Sequence, residues 1–451
     1  MGPRSLRRVE LLTGVVRDYA WGSRTALPEL LGLAADGRPQ AELWLGAHPG
    51  APASVAGEPM DAVVARDPAG VLGPRVRERF GDRLPYLLKV LAAGAPLSVQ
   101  VHPSEEQARE GFAREEEAGV PADAPHRSYK DPHHKPEMVV ALTPFEALCG
   151  FRDPAVAAAA LRRMDVPSAA RLVEVLSGDD APAAIREALS YLLSGSEEVA
   201  QLVEDVSAAC AEDGPVGDGP ADAVEAAGEP VPGGPAPLPD ELGGPAGGVA
   251  GAAGERGRME EVPDEPVDGA VDPDRRTVAE LAAHHPGDPG VLVALLLHRV
   301  RLEPGEAVWL PAGNVHAYLS GTGVELMAAS DNVLRGGLTT KHVDVAELQR
   351  VVDARPVAVP RVEPVAGEGS LVWRPGPDEV ELWRLEPAGG DVAGPVDGPR
   401  VVLCTAGEVD VAAGAGGALR LGRGGAALVR DDDGPVRVAG DGVAWVAAVP
   451  R

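Results

Sequence analysis

The chain has 451 residues, 45% of them hydrophobic but only 3% aromatic, and a formal net charge of -28. That length allows two or three domains with a large core, which Val, Leu and Ala must mostly fill. The charge excludes nonspecific binding to nucleic acid or to anionic membrane surfaces, though not a local basic pocket for a small anion.

The opening segment, MGPRSLRRVELLTGVVRDYA, is basic but has no apolar core, so it does not read as a signal peptide. As far as residue 150 or so, strands and turns dominate. Leu84 to Leu91 is a buried strand candidate; Gly94-Ala95-Pro96 then turns the chain, and Leu97 to His102 is a second strand. SEEQAREGFAREEEAG suits an exposed helix, and YKDPHHKPEMVVALTPFEALCGF returns to strand character. From Asp153 to Cys210 the period changes. PAVAAAALRRM, SAARLVEVLSG, APAAIREALSYLLSG and EEVAQLVEDVSAAC are amphipathic helix candidates, with Asp153-Pro154 as a start signal. Residues 211–275 hold Gly, Pro, Ala, Asp and Glu with almost no large apolar side chain. Such a tract cannot bury enough surface to offset its ordering entropy, and disorder is expected there.

Structure resumes at TVAELAAHH, and a second block of strands runs to about residue 352. Beyond Pro356, short Gly- and Val-rich strands predict a terminal β-domain, which contains no histidine. VLVALLLHRV is the nearest approach to a membrane span and is far too short. Cys149, Cys210 and Cys404 are odd in number and widely spaced, so neither a disulfide framework nor a CxxC zinc pattern is present. A reducing cytoplasm is the expected compartment. The chain therefore divides into 1–151, a helical insert at 152–287, 288–356, and 357–451. The fold class is mainly β with an all-α inserted domain, and the many short strands with Gly/Pro turns predict a sandwich or jelly roll.

Three segments carry candidate metal chemistry: LSVQVHP, HHKPE and LPAGNVHAY. Strand side chains alternate faces, so Ser98, Gln100 and His102 share one face and Leu97, Val99 and Val101 the other. Gly305, Pro311, Gly313 and His316 fit the second sequence motif of the cupin superfamily at every defined position. Gly94 followed by Gln100-x-His102 resembles the first cupin motif, with Gln in place of the first His, and Glu137 can supply a carboxylate from the next strand. Gln, two His and one Glu suit zinc with an open position, though the spacing also admits iron, manganese or cobalt.

YAWGS, AELWLGAHP, LPYLLKVLAAGAPLSVQVHP, YKDPHHKPEM, LTPFEALCGFR, LPAGNVHAYL and GVELMAASDNVLRGGLTTKHVD together resemble the type I mannose-6-phosphate isomerases. These stretches cover most of residues 15–152 and 288–350. The resemblance implies a cupin jelly-roll catalytic barrel and a second, jelly-roll-like C-terminal β-domain. It implies one zinc ion at Gln100, His102, Glu137 and His316. It also implies interconversion of D-mannose 6-phosphate and D-fructose 6-phosphate through a cis-enediol. The chain departs from the family where LTTK stands for LTPK at Thr340 and RGG for RAG at Gly336; neither change removes a chemical group.

Aldose-ketose isomerisation needs carbonyl polarisation, a proton carrier and a phosphate anchor. Arg335 is a candidate to stabilise enediolate charge or orient sugar oxygens, against the plainer reading of a surface arginine. Glu325, His134 and Lys135 are candidate acid-base groups, with Lys135 equally able to serve as a charge partner of Glu137. By the family pattern Ser98 and Lys341 are the phosphate anchor, and Tyr318 either lines the pocket or simply fills the barrel. Trp21, Trp44 and His48 read as packing residues, and His284, His285 and His298 as structural or exposed. The expected partner is a small sugar phosphate, with no nucleic acid or membrane and monomer as the default. The competing readings are another cupin sugar-phosphate isomerase and a noncatalytic sugar-phosphate sensor on the same barrel.

Overall fold

The structure, a computed structural model, describes residues 9–211 and 272–451. Most of the tract expected to be disordered lies outside the described residues. Its end is different from expectation: Asp272 caps a helix, Pro273–His284, by accepting from the Asp274 amide, so residues 272–275 are ordered. Asp-Pro at a helix start explains this, as it does for Asp153 before the helix Pro154–Met164.

Ten strands build the central part: β1 (Val15–Arg17), β2 (Glu42–Leu45), β3 (Tyr86–Ala93), β4 (Val99–Val101), β5 (Glu137–Ala141), β6 (Phe145–Phe151), β7 (Leu297–Leu302), β8 (Ala307–Leu310), β9 (His316–Ala328) and β10 (Leu334–Gly337). They form two layers that share β9. The first half of β9 pairs with β6 and β4, giving the antiparallel order β7-β6-β9-β4-β10. The second half pairs with β3 and β5, giving β8-β5-β9-β3-β2-β1. The switch falls at a bulge near Tyr318/Ser320 and at Gly321. Gly321 has φ +108°, and a Cβ there would lie 2.5 Å from the Pro144 carbonyl oxygen, so only glycine turns this corner.

Most of these strands are buried on both faces, β1 and β7 less so, and the alternation sorts their side chains. Leu148, Ala317, Leu319, Val99 and Val101 face outward into a core shared with the helices Pro154–Met164, Ala181–Leu192 and Glu197–Cys210. Leu88, Val90, Met138, Val140, Val324 and Leu326 face outward into a core shared with Trp373, Leu403 and Trp445 of the C-terminal region. The inward faces meet around Leu91, Ala93, Val139, Phe145, Ala147 and Tyr318. The space between the layers is where polar residues of the same strands must also lie.

The helices of the insert match their sequence signals closely. Three other features differ from the sequence reading. Met60–Arg66 and Pro68–Phe80 (broken at Gly73) are helical in a part of the chain read as strands and turns; Asp67-Pro68 supplied the start signal. Residues 129–136 form a loop that precedes β5, where strand was expected. The N-terminal strand Glu10–Thr13 does not join the ten-stranded layers. It pairs with Ala426–Val429, so residues from the N-terminal part of the chain join the C-terminal nine-stranded sheet. A four-stranded sheet, Val392–Ala393, Val436–Gly440, Glu408–Ala413 and Leu419–Gly422, closes the terminal region over its own apolar core.

Candidate metal centre

His102, Glu137 and His316 converge between the two layers, and all three are buried. Glu137 starts β5, His316 starts β9, and His102 follows β4 directly. Gln100 on β4 is the register partner of His316 on one side and of Arg335 on the other, so these three side chains share a face. His102 Nε2 lies 3.4 Å and His316 Nε2 3.5 Å from Glu137 Oε2. The other ring nitrogens are engaged: His102 Nδ1 lies 2.8 Å from the Asn332 carbonyl and His316 Nδ1 3.0 Å from the Asn314 carbonyl. These contacts assign the proton to Nδ1 and turn a lone pair at each Nε2 toward Glu137.

The three converging atoms, His102 Nε2, His316 Nε2 and Glu137 Oε2, are buried and have no hydrogen-bond partner. Buried polar atoms without partners are costly, and two nitrogen lone pairs beside a carboxylate form a set that a divalent cation satisfies. Glu137 is held well below the usual carboxylate range: burial alone would raise it, but the charge of Lys135 and the contact with His102 prevail. His102 is pushed down to about 4, first by burial and then by Lys135. Both shifts leave the pair in ligand form at neutral pH.

A second polar group lies on the same inward face. Lys89 of β3 stands opposite Glu325 of β9, with Nζ 2.9 Å from Glu325 Oε2 and 3.4 Å from Glu42 Oε1. Glu42 in turn accepts from Trp44 Nε1 at 2.8 Å, and the Lys89 ammonium lies 5.3 Å from the Trp44 ring centroid. Burial opposes the charge on Lys89, yet Glu325 and Glu42 outweigh it and raise its pKa. Burial raises Glu325, against the pull of Lys89. Tyr318 is raised by burial and by the charges of Glu325 and Glu137, and its ring centre lies 6.1 Å from that of His316.

Ser98, Arg335 and Lys341 lie on the β4–β10 side. Among the described residues, neither Arg335 nor Lys341 makes an ion pair. Burial lowers the pKa of Arg335; burial and then the Arg335 charge lower that of Lys341. The two cations stand near enough for the charge of one to act on the other. The turn between them is pinned by Asp288, which accepts from Gly290 N, Leu338 N and Thr339 N at 2.7, 2.9 and 2.9 Å.

The structure thus brings together Gln100, His102, Glu137, His316, Lys135, Glu325 and Tyr318. It does not bring His134 to the cluster. The His134 ring pairs instead with Glu379 of the C-terminal region at 2.8 Å. Lys135 Nζ lies 2.5 Å from Glu137 Oε1, which makes it the ligand's charge partner. Trp44 is not plain packing, since it touches Glu42 and Lys89. His48 packs on Trp44 and pairs with Asp331 at 3.1 Å. Lys89 and Glu42 were missed by the sequence reading. The available signal was a lysine alone in an otherwise apolar, fully buried strand, PYLLKVLAA.

A family model for the catalytic domain of type I phosphomannose isomerases matches residues 9–154. The chain is 32% identical to the mannose-6-phosphate isomerase of Escherichia coli (strain K12) over 444 residues, 96% of this chain and 98% of that protein. It is 35% identical to the Salmonella typhimurium mannose-6-phosphate isomerase over 365 residues, 77% of this chain and 75% of that protein. A crystal structure of mannose 6-phosphate isomerase bound with zinc and yttrium is 31% identical, with a TM-score of 0.79 over 98% of this chain and 100% of that one. The Salmonella typhimurium enzyme bound to fructose 6-phosphate and zinc is likewise similar, at 31% identity and a TM-score of 0.78, covering 98% of this chain and 100% of that one.

Proposed function

The chain belongs to the type I mannose-6-phosphate isomerases, and from that premise we propose that it interconverts D-mannose 6-phosphate and D-fructose 6-phosphate at a zinc centre held by Gln100, His102, Glu137 and His316. The observation that carries this is the set of three buried, partnerless ligand atoms facing one another. Zinc bound there supplies a Lewis acid for the carbonyl and hydroxyl oxygens of the open-chain sugar. We read the two layers joined by β9 as a cupin jelly roll, the helices as its insert and the C-terminal region as a second β-domain of the same kind.

The remaining steps belong to side chains. Arg335 and Lys341, with Ser98 beside them on the face of Gln100, hold the phosphate. That seats the sugar carbons between the metal ligands and the Lys89–Glu325 pair. Glu325 moves the proton between C1 and C2 through a cis-enediol; its raised pKa makes it a base of suitable strength. Lys89, kept a cation by its two carboxylates, stabilises the charge that develops on the enediol oxygens. Tyr318 and the apolar inward residues keep water from that face.

The test is conversion of mannose 6-phosphate to fructose 6-phosphate by full-length protein, before chelation, after chelation and after zinc is returned. Turnover indifferent to chelation would sink the metal centre. Substrate deuterated at C2 separates the proton-transfer route from a direct shift. Any exchange of the label with solvent marks the proton-transfer route, and wild-type turnover by Glu325→Gln would remove Glu325 from its role.

A further inference from the structure

We propose that Asn332, which touches neither substrate nor metal, is the positioning residue that sets the geometry of the metal centre. This inference rests on the zinc reading above. Asn332 is wholly buried at the turn between β9 and β10. Its backbone carbonyl accepts from His102 Nδ1 at 2.8 Å. Its side chain is spent on the loop that leads into β5. Asn332 Oδ1 accepts from Lys130 N at 2.7 Å and Asp131 N at 3.2 Å, while Nδ2 donates to the carbonyls of Asp131 and His133, each at 2.7 Å.

An amide side chain offers two lone pairs and two N–H groups, and here all four are used on one loop. That loop continues through Lys135 to Glu137. One residue therefore orients the ring of His102 with its main chain and fixes the approach of Glu137 with its side chain. The ligands come from separate strands, and their spacing depends on such a tie. Ser330 strengthens it: its buried hydroxyl lies 3.1 Å from both Asp131 Oδ2 and the His133 carbonyl, and Asp331 N donates to Asp131 Oδ2 at 2.9 Å. Only Asn suits the position. Aspartate would set acceptors against the carbonyls of Asp131 and His133, and alanine would leave the amides of Lys130 and Asp131 without an acceptor.

Groups that orient metal ligands without binding the ion typically alter metal affinity by about 10–100-fold. The experiment measures the zinc dissociation constant of full-length wild type, Asn332→Asp and Ser330→Ala by competition with a chromophoric chelator. The visible spectrum of each cobalt-substituted protein and the unfolding midpoint without metal are recorded alongside. For Asn332→Asp, weaker zinc binding by about 10–100-fold and a changed cobalt spectrum are expected; Ser330→Ala should weaken zinc binding in the same direction by less. Should Asn332→Asp fail to fold, Ser330→Ala alone decides. A variant with a lower unfolding midpoint but wild-type affinity and spectrum overturns the proposal, because the tie would then be a structural clamp only. If wild type itself binds no zinc, it is the metal-centre reading that falls.

Discussion

Two closed β interiors lie in this chain, and they are filled in opposite ways. The interior of the terminal region is mostly apolar, with Leu385, Val402, Cys404, Val409, Val411, Val436 and Val438 packed between its two sheets and the buried Arg400 donating its guanidinium N–H groups to the Gly398 and Gly434 carbonyls. The interior between the β9 layers holds His102, Glu137, His316, Lys89 and Glu325 among its apolar residues. Both use antiparallel strands of alternating pattern, so architecture does not separate them. What separates them is the cluster of facing acid and base groups with partnerless atoms, since an uncompensated buried charge costs several kcal/mol. The terminal region stabilises itself; the central one carries a cost that chemistry requires.

Removing the carboxylate at the centre should have the largest effect. Glu137→Gln is expected to abolish turnover and metal retention together, measured as activity and as zinc content after gel filtration. Retained zinc with lost turnover would place Glu137 outside the ligand set. Next, Glu325→Gln should lower kcat by about 10²–10⁴-fold while zinc content stays at the wild-type level. A fall of less than tenfold would move the proton-transfer role elsewhere.

The opposite interior should respond in stability alone. Leu385→Ala is expected to cost about 2–5 kcal/mol of unfolding free energy in denaturant titration, with kcat/KM unchanged. A change in kinetics would mean the terminal core shapes the site. The two interiors should also differ in acid. His102 in the metal-free protein is pushed to about 4 by burial and then Lys135, against 6.5 for an ordinary histidine. Between those values the unfolded chain binds a proton that the native chain does not. Its stabilising contribution is therefore full above that window and is lost as pH falls through it. The unfolding midpoint of metal-free protein should drop from neutral pH toward the low end of the window, and His102→Gln should remove that part of the slope.

The smallest effect is expected from the tract 212–271. The helices Glu197–Cys210 and Pro273–His284 pack side by side, Arg275 donates to the Ala209 carbonyl, and Arg163 pairs with Asp272 at 2.8 Å. The two ends of the tract are already held close. Replacing it with a short Gly/Ser linker should leave kcat/KM and the unfolding midpoint at wild-type values; a loss in either would give the tract a role.

Much of this was legible along the chain. The helices of the insert followed from their period and from the Asp153-Pro154 start, because helix signals are local. His102 and Gln100 fell on the same strand face because alternation is a property of one strand. Gly305, Pro311 and Gly313 marked His316 because turn residues at a fixed spacing before a strand are also a local signal. The sequence thus determined most of the elements, the faces of the ligand-bearing strands and the identity of the candidate ligands. It did not determine which side chains meet. That Lys89 faces Glu325, that Lys135 is committed to Glu137 while His134 goes to Glu379, that Asn332 ties the loop before β5 to His102, and that Glu10–Thr13 pairs with Ala426–Val429 were decided by register between distant strands. Register depends on long-range pairing and on turns such as Gly321, whose partners are far away in sequence, so only the tertiary structure could place one charge opposite another.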